Sequence, residues 1–457
     1  MCIRDRPNTI FAVSILFAVA VVSRSEATSF IAAFVLFLGF LLCDVQLKGV
    51  QFERLAALLD PFAVRTFALV TKYWTVADKN TSAAGLHGLL FWNRLIWMSV
   101  SCLVFAAAYR RFSFTARRKK SKVSESVEQP ASAPVIAVTP HIGTSCSRRS
   151  SWAQFFGSVK IHFWSTVKSN SFIVIAAAIL IDIPFLLTEA TGSYGTRSYP
   201  VTYRVIDLIR EDVSFFLLII ITYFSGAMVW KDRERRMDEV VDATPAPEWT
   251  FFAARLVTLV GIVMMVQATA LAAGTLVQAA SGYYRFQLGH VAYELFVRDA
   301  STFLFLAILA FFLHVLAPNK YLGYLAFVLF YLVNMYVWPA LNIATNLVQF
   351  AGRPKVIYSD FFGDAPYRRA WDWFTLYWLL FCLLLAIATV MFWPRGKPDG
   401  ARTRFRNAAL RLTPRWKATA TACLLAFAGC GGWIWYDTEV LNSLLGPKDL
   451  ELSLIHI

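Results

Sequence analysis

Three chemical signatures are missing from this 457-residue chain. It contains no GxxxxGK followed by Ser or Thr, and so no phosphate-cradling loop of its own. It contains no HExxH. His87, His141, His162, His290 and His314 stand apart and none is followed by Glu, so no zinc-peptidase helix is written in these residues. It also contains no CxxC. Cys43, Cys102, Cys382, Cys423 and Cys430 lie in apolar runs and Cys146 in a polar stretch, which suggests neither a disulfide framework nor a metal site. Charge is scarce as well, at 16% of residues against about 25% in soluble domains, while 58% are hydrophobic against about 45–50%. An ordinary soluble protein is thereby excluded. The formal net charge of +15 is no sign of nucleic-acid binding, because the basic residues flank apolar runs, as positive-inside topology requires.

The two ends read as foreign sequence. Residues 1–6 (MCIRDR) and 452–457 (LSLIHI) translate strings that, apart from frame overhang, are reverse complements and look like a transposase sequencing adapter. Both are set aside in reasoning about the fold. The remainder, 7–451, is expected to be a fragment open at both sides.

What is present is a series of long apolar stretches. A bilayer core of about 30 Å needs roughly 20 apolar residues per helix. The predicted spans are 7–22, 27–45, 89–109, 171–188, 213–230, 250–279, 300–317, 321–338, 372–393 and 417–436. Trp92, Trp97, Trp230, Trp249, Trp371, Trp393, Trp433 and Trp435 mark borders at headgroup level. Asn93 and Arg94 fall near one end of the third span, where an Arg snorkels to the interface. Arginines and lysines crowd 110–122, 231–236 and 395–417. An even number of spans separates these loops, so one alternating topology makes all three cytoplasmic. It places 46–88, 189–212, 280–299, 339–371 and the segment after Asp437 outside.

Between the spans lie three informative segments. Residues 124–151, rich in Ser, Pro and Ala, read as a flexible cytoplasmic linker. Trp152, Phe155, Phe156, Val159, Phe163 and Val167 then recur at helical spacing and predict an amphipathic helix on the membrane surface. The stretch WKDRERRMDEVVDATPAPEW, Trp230 to Trp249, carries Met237, Val240 and Val241 on one helical face amid dense charge, and ends in a Thr-Pro-Ala-Pro breaker. Its shape suits docking of a soluble partner. The outer loop 46–88 contains Asp60-Pro61, which reads as a helix cap followed by Pro at the first helical position. Spans 7–22, 27–45 and 89–109 repeat the order of 300–317, 321–338 and 372–393. This implies two six-span halves, the first truncated, plus the extra span 417–436.

A surface helix, a span, a short outer loop, a second span and a charged cytoplasmic helix ending at Thr-Pro resemble the permease of type-2 ABC exporters (ABC-2). That family's loop runs like R-E-x-x-x-G-T-x-E-x-L-x-x-T-P. Arg233-Glu234, Asp238-Glu239 and Thr244-Pro245 hold similar places, with Arg236-Met237 where the pattern has Gly-Thr. The chain is also similar to a bacterial group of ABC permeases fused to a gluzincin (M1-class) aminopeptidase. The stretches carrying this are LLDPFAVRTF at 58–67, KYWTVADKNT at 72–81, FWNRLIW at 91–97, SYGTRSYPVT at 193–202, residues 228–249 and GGWIWYDTEVLN at 431–442. The resemblance implies a bacterial inner-membrane, multi-pass permease with its C-terminal end extracytoplasmic. ATP would be hydrolysed by a separate ABC ATP-binding subunit docked on helix 231–243 through Arg233, Glu234, Arg235, Arg236, Met237, Asp238, Glu239, Val240, Thr244 and Pro245. It implies zinc only in a domain beyond Glu451, so no cofactor, metal or catalytic residue is expected here. The lipid bilayer and a second copy of the chain are the other partners considered.

The expected fold is therefore an all-α polytopic membrane protein of about ten transmembrane helices. Its parts are 7–123, the end of a first membrane half; linker 124–151; a second half at 152–393; a basic loop at 394–416; span 417–436; and 437–451, the start of an external segment. Polar residues inside spans are default functional candidates. Asp182, beside Pro184, reads as interfacial, His314 as a hydrogen-bonded structural histidine, and Asn334 and Gln267 as amides bonding neighbouring helices. Gly429, Gly431 and Gly432 would permit close helix contact in the last span. A rival reading makes the membrane part a mere anchor for an external zinc aminopeptidase. A third, ion-driven transport, is disfavoured by sparse intramembrane charge.

Overall fold

Apolar runs at helical spacing become long helices in the computed structural model. It describes residues 2–23, 28–29, 32–33, 36, 53–81, 85–113, 148–190, 192–193, 196–197, 199–244, 246–341, 343, 345–359, 361–395 and 400–442. The chain divides into two units, Met1–His141 and Ile142–Ile457.

The first unit pairs two long helices, α1 (Cys2–Ser23) and α5 (Gly88–Arg111), with short helices α2 (Glu53–Leu59), α3 (Val64–Val70) and α4 (Val76–Thr81) between them in sequence. Phe11 packs edge-on against Trp97 at 5.1 Å and against Phe62 at 5.9 Å. Asn93 is fully buried and does not face an interface. Its amide donates to the carbonyls of Ala57 (2.7 Å), Leu58 (3.3 Å) and Asp60 (2.8 Å), which lie around the end of α2, where a helix leaves acceptors unmatched. Arg94 does not snorkel either: it is buried and donates to Asn8 Oδ1 at 2.8 Å. Asp60 is a cap, its carboxylate accepting from the backbone N–H of Phe62 and of Arg65, both at 2.9 Å. Pro61 is not the first helical residue, because the chain first passes through Ala63 at φ 52° before α3 begins. Thr75 and Asp78 form a reciprocal capping box at α4, and the Thr75 hydroxyl holds the Asp78 carboxyl below its ordinary value.

The second unit contains α6 (Arg148–Val167), α7 (Asn170–Ala190), α8 (Thr202–Glu234), α9 (Asp238–Asp242), α10 (Glu248–Ala280), α11 (Leu288–Tyr293), α12 (Ala300–Leu316), α13 (Lys320–Ala340), α14 (Ala365–Met391), α15 (Ala401–Arg411) and α16 (Pro414–Trp435). A π-helical turn, Glu294–Asp299, joins α11 to α12, and another, Tyr436–Leu441, follows α16. Sheet is limited, among the described residues, to a two-residue hairpin (Gly192–Ser193 with Thr196–Arg197) and one isolated bridge, Ser359–Gly363. The bundle is built around α8, which packs on α7, α10, α12 and α13. Its buried stripe runs through Val205, Ile209, Val213, Phe216, Ile220 and Phe224, at steps of three and four. On α12, Phe305, Leu309, Ala310 and Phe311 fill the facing side.

Among the described residues eight helices are long and apolar enough to cross a membrane, and α6 with α7, bent by 62°, passes as a ninth. These cover nine of the ten predicted spans; 27–45 lies almost wholly outside the described residues. The supposed outer loops are shorter than the sequence suggests. Helix α8 begins at Thr202 and α11 at Leu288, because their charged residues pair with one another and permit helix to continue. At 33 residues, α8 is about 50 Å long, more than a bilayer core requires.

Candidate functional site

At the C-terminal end of α8 the chain makes a Schellman closure. Met237 N–H reaches the Asp232 carbonyl at 2.9 Å, Arg236 N–H reaches Arg233 at 3.0 Å, and Arg236 takes φ 54°. The predicted single helix 231–243 is therefore two pieces: the last turn of α8, and α9. The left-handed residue turns the axis, and an Arg stands where glycine is the usual choice. Beyond the turn Met237 and Val240 are exposed, at 48% and 64%. Glu234, Arg235, Arg236 and Glu239 are exposed, whereas Arg233 and Asp238 are partly covered. Lys320 pairs with Glu234, and Arg233 lies 5.2 Å over the Trp230 ring. Pro245 lies outside the described residues.

The breaker after α9 is held by a residue 147 to 153 positions away in the chain. Arg395 donates to the carbonyls of Asp242 (3.0 Å), Thr244 and Ala246 (3.1 Å), pairs with Glu248 at 3.4 Å, and lies over Phe251. Beneath it, buried Arg255 donates to Asp232 (2.6 Å) and to the Met228 and Phe251 carbonyls. These two arginines clamp the α8–α9–α10 corner from below and leave α9 projecting. Residues 231–244, 317–319 and 392–395 thus meet at one end of the bundle. The predicted surface helix, α6, packs on α10 through Phe155, Val159 and Phe163, with Trp249 5.5 Å from Trp152 and 5.8 Å from Phe155. Its other side exposes Phe156, Ile161 and Trp164. Val167 ends the helix half-buried, before the bend into α7.

The opposite end carries a charge network that the sequence reading did not single out. Arg210 pairs with Glu294 at 2.6 Å and Asp299 at 2.9 Å; Arg298 pairs with Glu294 and Asp364. In an α-helix residues five apart point to different sides. The π turn bonds i to i+5 and brings Glu294 and Asp299 onto the same guanidinium. Arg298 is 5% exposed, between the rings of Tyr293 and Trp371. Arg353 donates to the hydroxyls of Ser301 (2.6 Å) and Thr302 (3.1 Å) and lies over Phe305 and Trp371; burial pulls its pKa down to about 10, against the attraction of Asp299. Beside it is a cavity of about 410 Å³ lined by Arg210, Asp299, Tyr331, Asn346, Gln349 and Arg353. Charge is thus concentrated at this end of α8 and α12. The Glu294–Arg298 spacing of four was the available local signal; partners more than 60 positions apart were not.

The other polar candidates separate. Among the described residues Asn334 bonds no neighbouring helix: it pairs with both backbone groups of Phe350, accepting at 2.7 Å and donating at 3.1 Å, and so pins the 345–359 loop. His314 is fully buried between Gly226 and Gly323, with Tyr324 edge-on at 4.9 Å, and neither ring nitrogen has a hydrogen-bond partner among the described residues. It fills a glycine-lined gap, in place of the hydrogen-bonded role expected. Gln267 is buried on α10. The backbone of Asp182 lies in α7; its side chain is outside the described residues. Gly431 meets Tyr377 of α14 closely, whereas Gly429 and Gly432 face open space. Among the described residues no three His, Cys, Asp or Glu side chains converge to hold a metal. Compared with known proteins, the chain matches no family model, no curated protein and no solved structure.

Proposed function

We propose that the chain is the membrane permease of an ABC-2-like exporter, driven by a separate ATPase subunit that docks on α9 and the turn before it. The carrying observation is the combination of a rigid base and an exposed tip. Arg395 and Arg255 fix the corner, while Met237, Val240 and the charged residues around them stay exposed beyond it. A lever needs both, since motion of a docked subunit is transmitted only through an element that does not bend. The left-handed Arg236 adds support, for it stands near the Gly of the family's loop pattern, and a positive φ is the backbone conformation that glycine favours. The end bearing α9 would be cytoplasmic. The halves would shift against each other, with the Arg210–Glu294–Arg298 network at the opposite end.

The test is charge reversal at Arg235 and Arg236 together with Val240→Asp. Arg233 is spared because it stacks on Trp230. A P-loop ATPase is expected to co-purify with the unaltered chain and to be lost from the variant, with thermal unfolding unchanged. Full retention of the ATPase would sink the docking reading. The competing reading is that of a membrane anchor for an external aminopeptidase. It predicts no ATPase partner in either sample.

A further inference from the structure

A second basic feature lies at the same end as α9 but faces inward. A cavity of about 470 Å³ opens between the ends of α8, α12, α14 and α15. Arg233, Arg395, Arg404 and Arg411 line it with Trp393 and Asn407, and no described lining residue is acidic. Of the four guanidiniums only Arg395 has a carboxylate within 4 Å among the described residues, Glu248 at 3.4 Å. Arg404 donates to the Val315 and Leu316 carbonyls, and Arg411 to those of Met391 (3.2 Å) and Trp393 (2.6 Å). Arg233 has its aromatic ring. Neutral partners fix these side chains in place without cancelling their charge. Burial lowers the Arg404 pKa, and the facing Arg233 lowers it further. Like charges held together around a hollow are relieved by an anion placed between them.

The surroundings say which anion. Helix α15 carries Arg402, Arg404, Arg406 and Arg411, and its Phe405 and Leu410 are 65% and 76% exposed beside the cavity. Phe405 packs edge-on against Phe392 at 5.1 Å, so the helix lies against the bundle's end, with Arg402 and Arg406 exposed beside Phe405 and Leu410. An Arg-rich helix with exposed Phe and Leu suits the headgroup–acyl boundary of a bilayer. A basic pocket between span ends at that level is matched by a phosphate with acyl chains attached. We propose that this cavity seats the phosphate of an anionic phospholipid headgroup, with α15 lying in the interface beside it. The site goes beyond the docking of an ATPase and does not depend on it.

The full chain, delipidated in detergent, is titrated with phosphatidylglycerol, phosphatidylcholine and inorganic phosphate, and bound lipid is counted by native mass spectrometry. Phosphatidylglycerol is expected to be retained over phosphatidylcholine. Arg233→Gln, which removes no carbonyl hydrogen bond, should weaken phosphatidylglycerol retention about fivefold, and Arg233→Gln with Arg404→Gln about 25-fold, from the attraction of each charge removed. Arg402→Gln with Arg406→Gln, outside the cavity, should weaken it less. Equal retention of the two lipids overturns the proposal, as does an undiminished phosphatidylglycerol count in Arg233→Gln. Thermal protection by inorganic phosphate equal to that by phosphatidylglycerol would show that the anion is not lipid. Loss of an ATPase partner from Arg233→Gln with lipid retained would assign the arginine to a protein contact instead.

Discussion

Where α8 begins, Arg210 meets Glu294 and Asp299 within 3 Å; where it ends, Arg233 meets an indole ring and Arg404, among the described residues, carbonyls. At the first end three guanidiniums (Arg210, Arg298, Arg353) stand among four carboxylates (Asp207, Glu294, Asp299, Asp364), and the Arg298–Glu294 pair is buried. At the second end Arg255 and Arg395 meet carboxylates, but Arg404 and Arg411 are anchored by carbonyls and Arg233 by a ring, which leave their charge unspent. Paired charge closes a structure on itself. Anchored but unpaired charge holds a surface ready for something anionic. The two ends of one bundle therefore carry different roles, a lock and a platform.

The largest effect is expected at the lock. Arg298→Met leaves Glu294 and Asp364 without their buried partner and should cost about 3–5 kcal/mol, read as a fall in thermal unfolding temperature in detergent. Adding Glu294→Gln and Asp364→Asn should recover part of that loss. An unchanged midpoint would mean that the network is not a lock. At the platform, Arg395→Gln removes several hydrogen bonds from one charged donor and should cost about 1.5–3 kcal/mol. The loss should be local, seen as faster hydrogen exchange at 242–249 while the α8 and α12 cores stay protected. A global loss there would erase the distinction between the ends. The smallest effect is a pH dependence. The folded pKa of Arg353, about 10, lies below its ordinary value, so the folded state sheds this proton first and stability rises with pH. Relative to Arg353→Gln, the wild-type chain should gain about 0.4 kcal/mol by pH 10. A difference in unfolding temperature that stays flat from neutrality to that pH would show that the guanidinium is not desolvated.

Much of the helical frame was legible along the chain. Eight predicted spans fall on eight long helices, because an apolar run of membrane length has no other way to satisfy its backbone. The break after Thr244 and a helix at 152–167 were legible from Pro spacing and from period 3.6, although Trp152 and Phe156, read as part of one apolar face, are exposed. The start of α8 was not. Arg204, Asp207, Arg210 and Glu211 made 202–212 look like loop, yet Val205, Ile206 and Ile209 continue the buried stripe there. The turn at Arg236 was hidden for the opposite reason: nothing in an Arg announces a left-handed φ.

The sequence by itself determined the solvent. Its apolar runs, scarce charge and flanking arginines require a helical bundle in lipid, since unpaired backbone and unpaired charge are both costly there. Tertiary structure alone decided what each charge does. Arg210 and Arg395 are the same residue type in similarly charged stretches. One closes a lock and the other clamps a corner, because their partners lie 84 to 153 positions away and only packing brings them within hydrogen-bond reach.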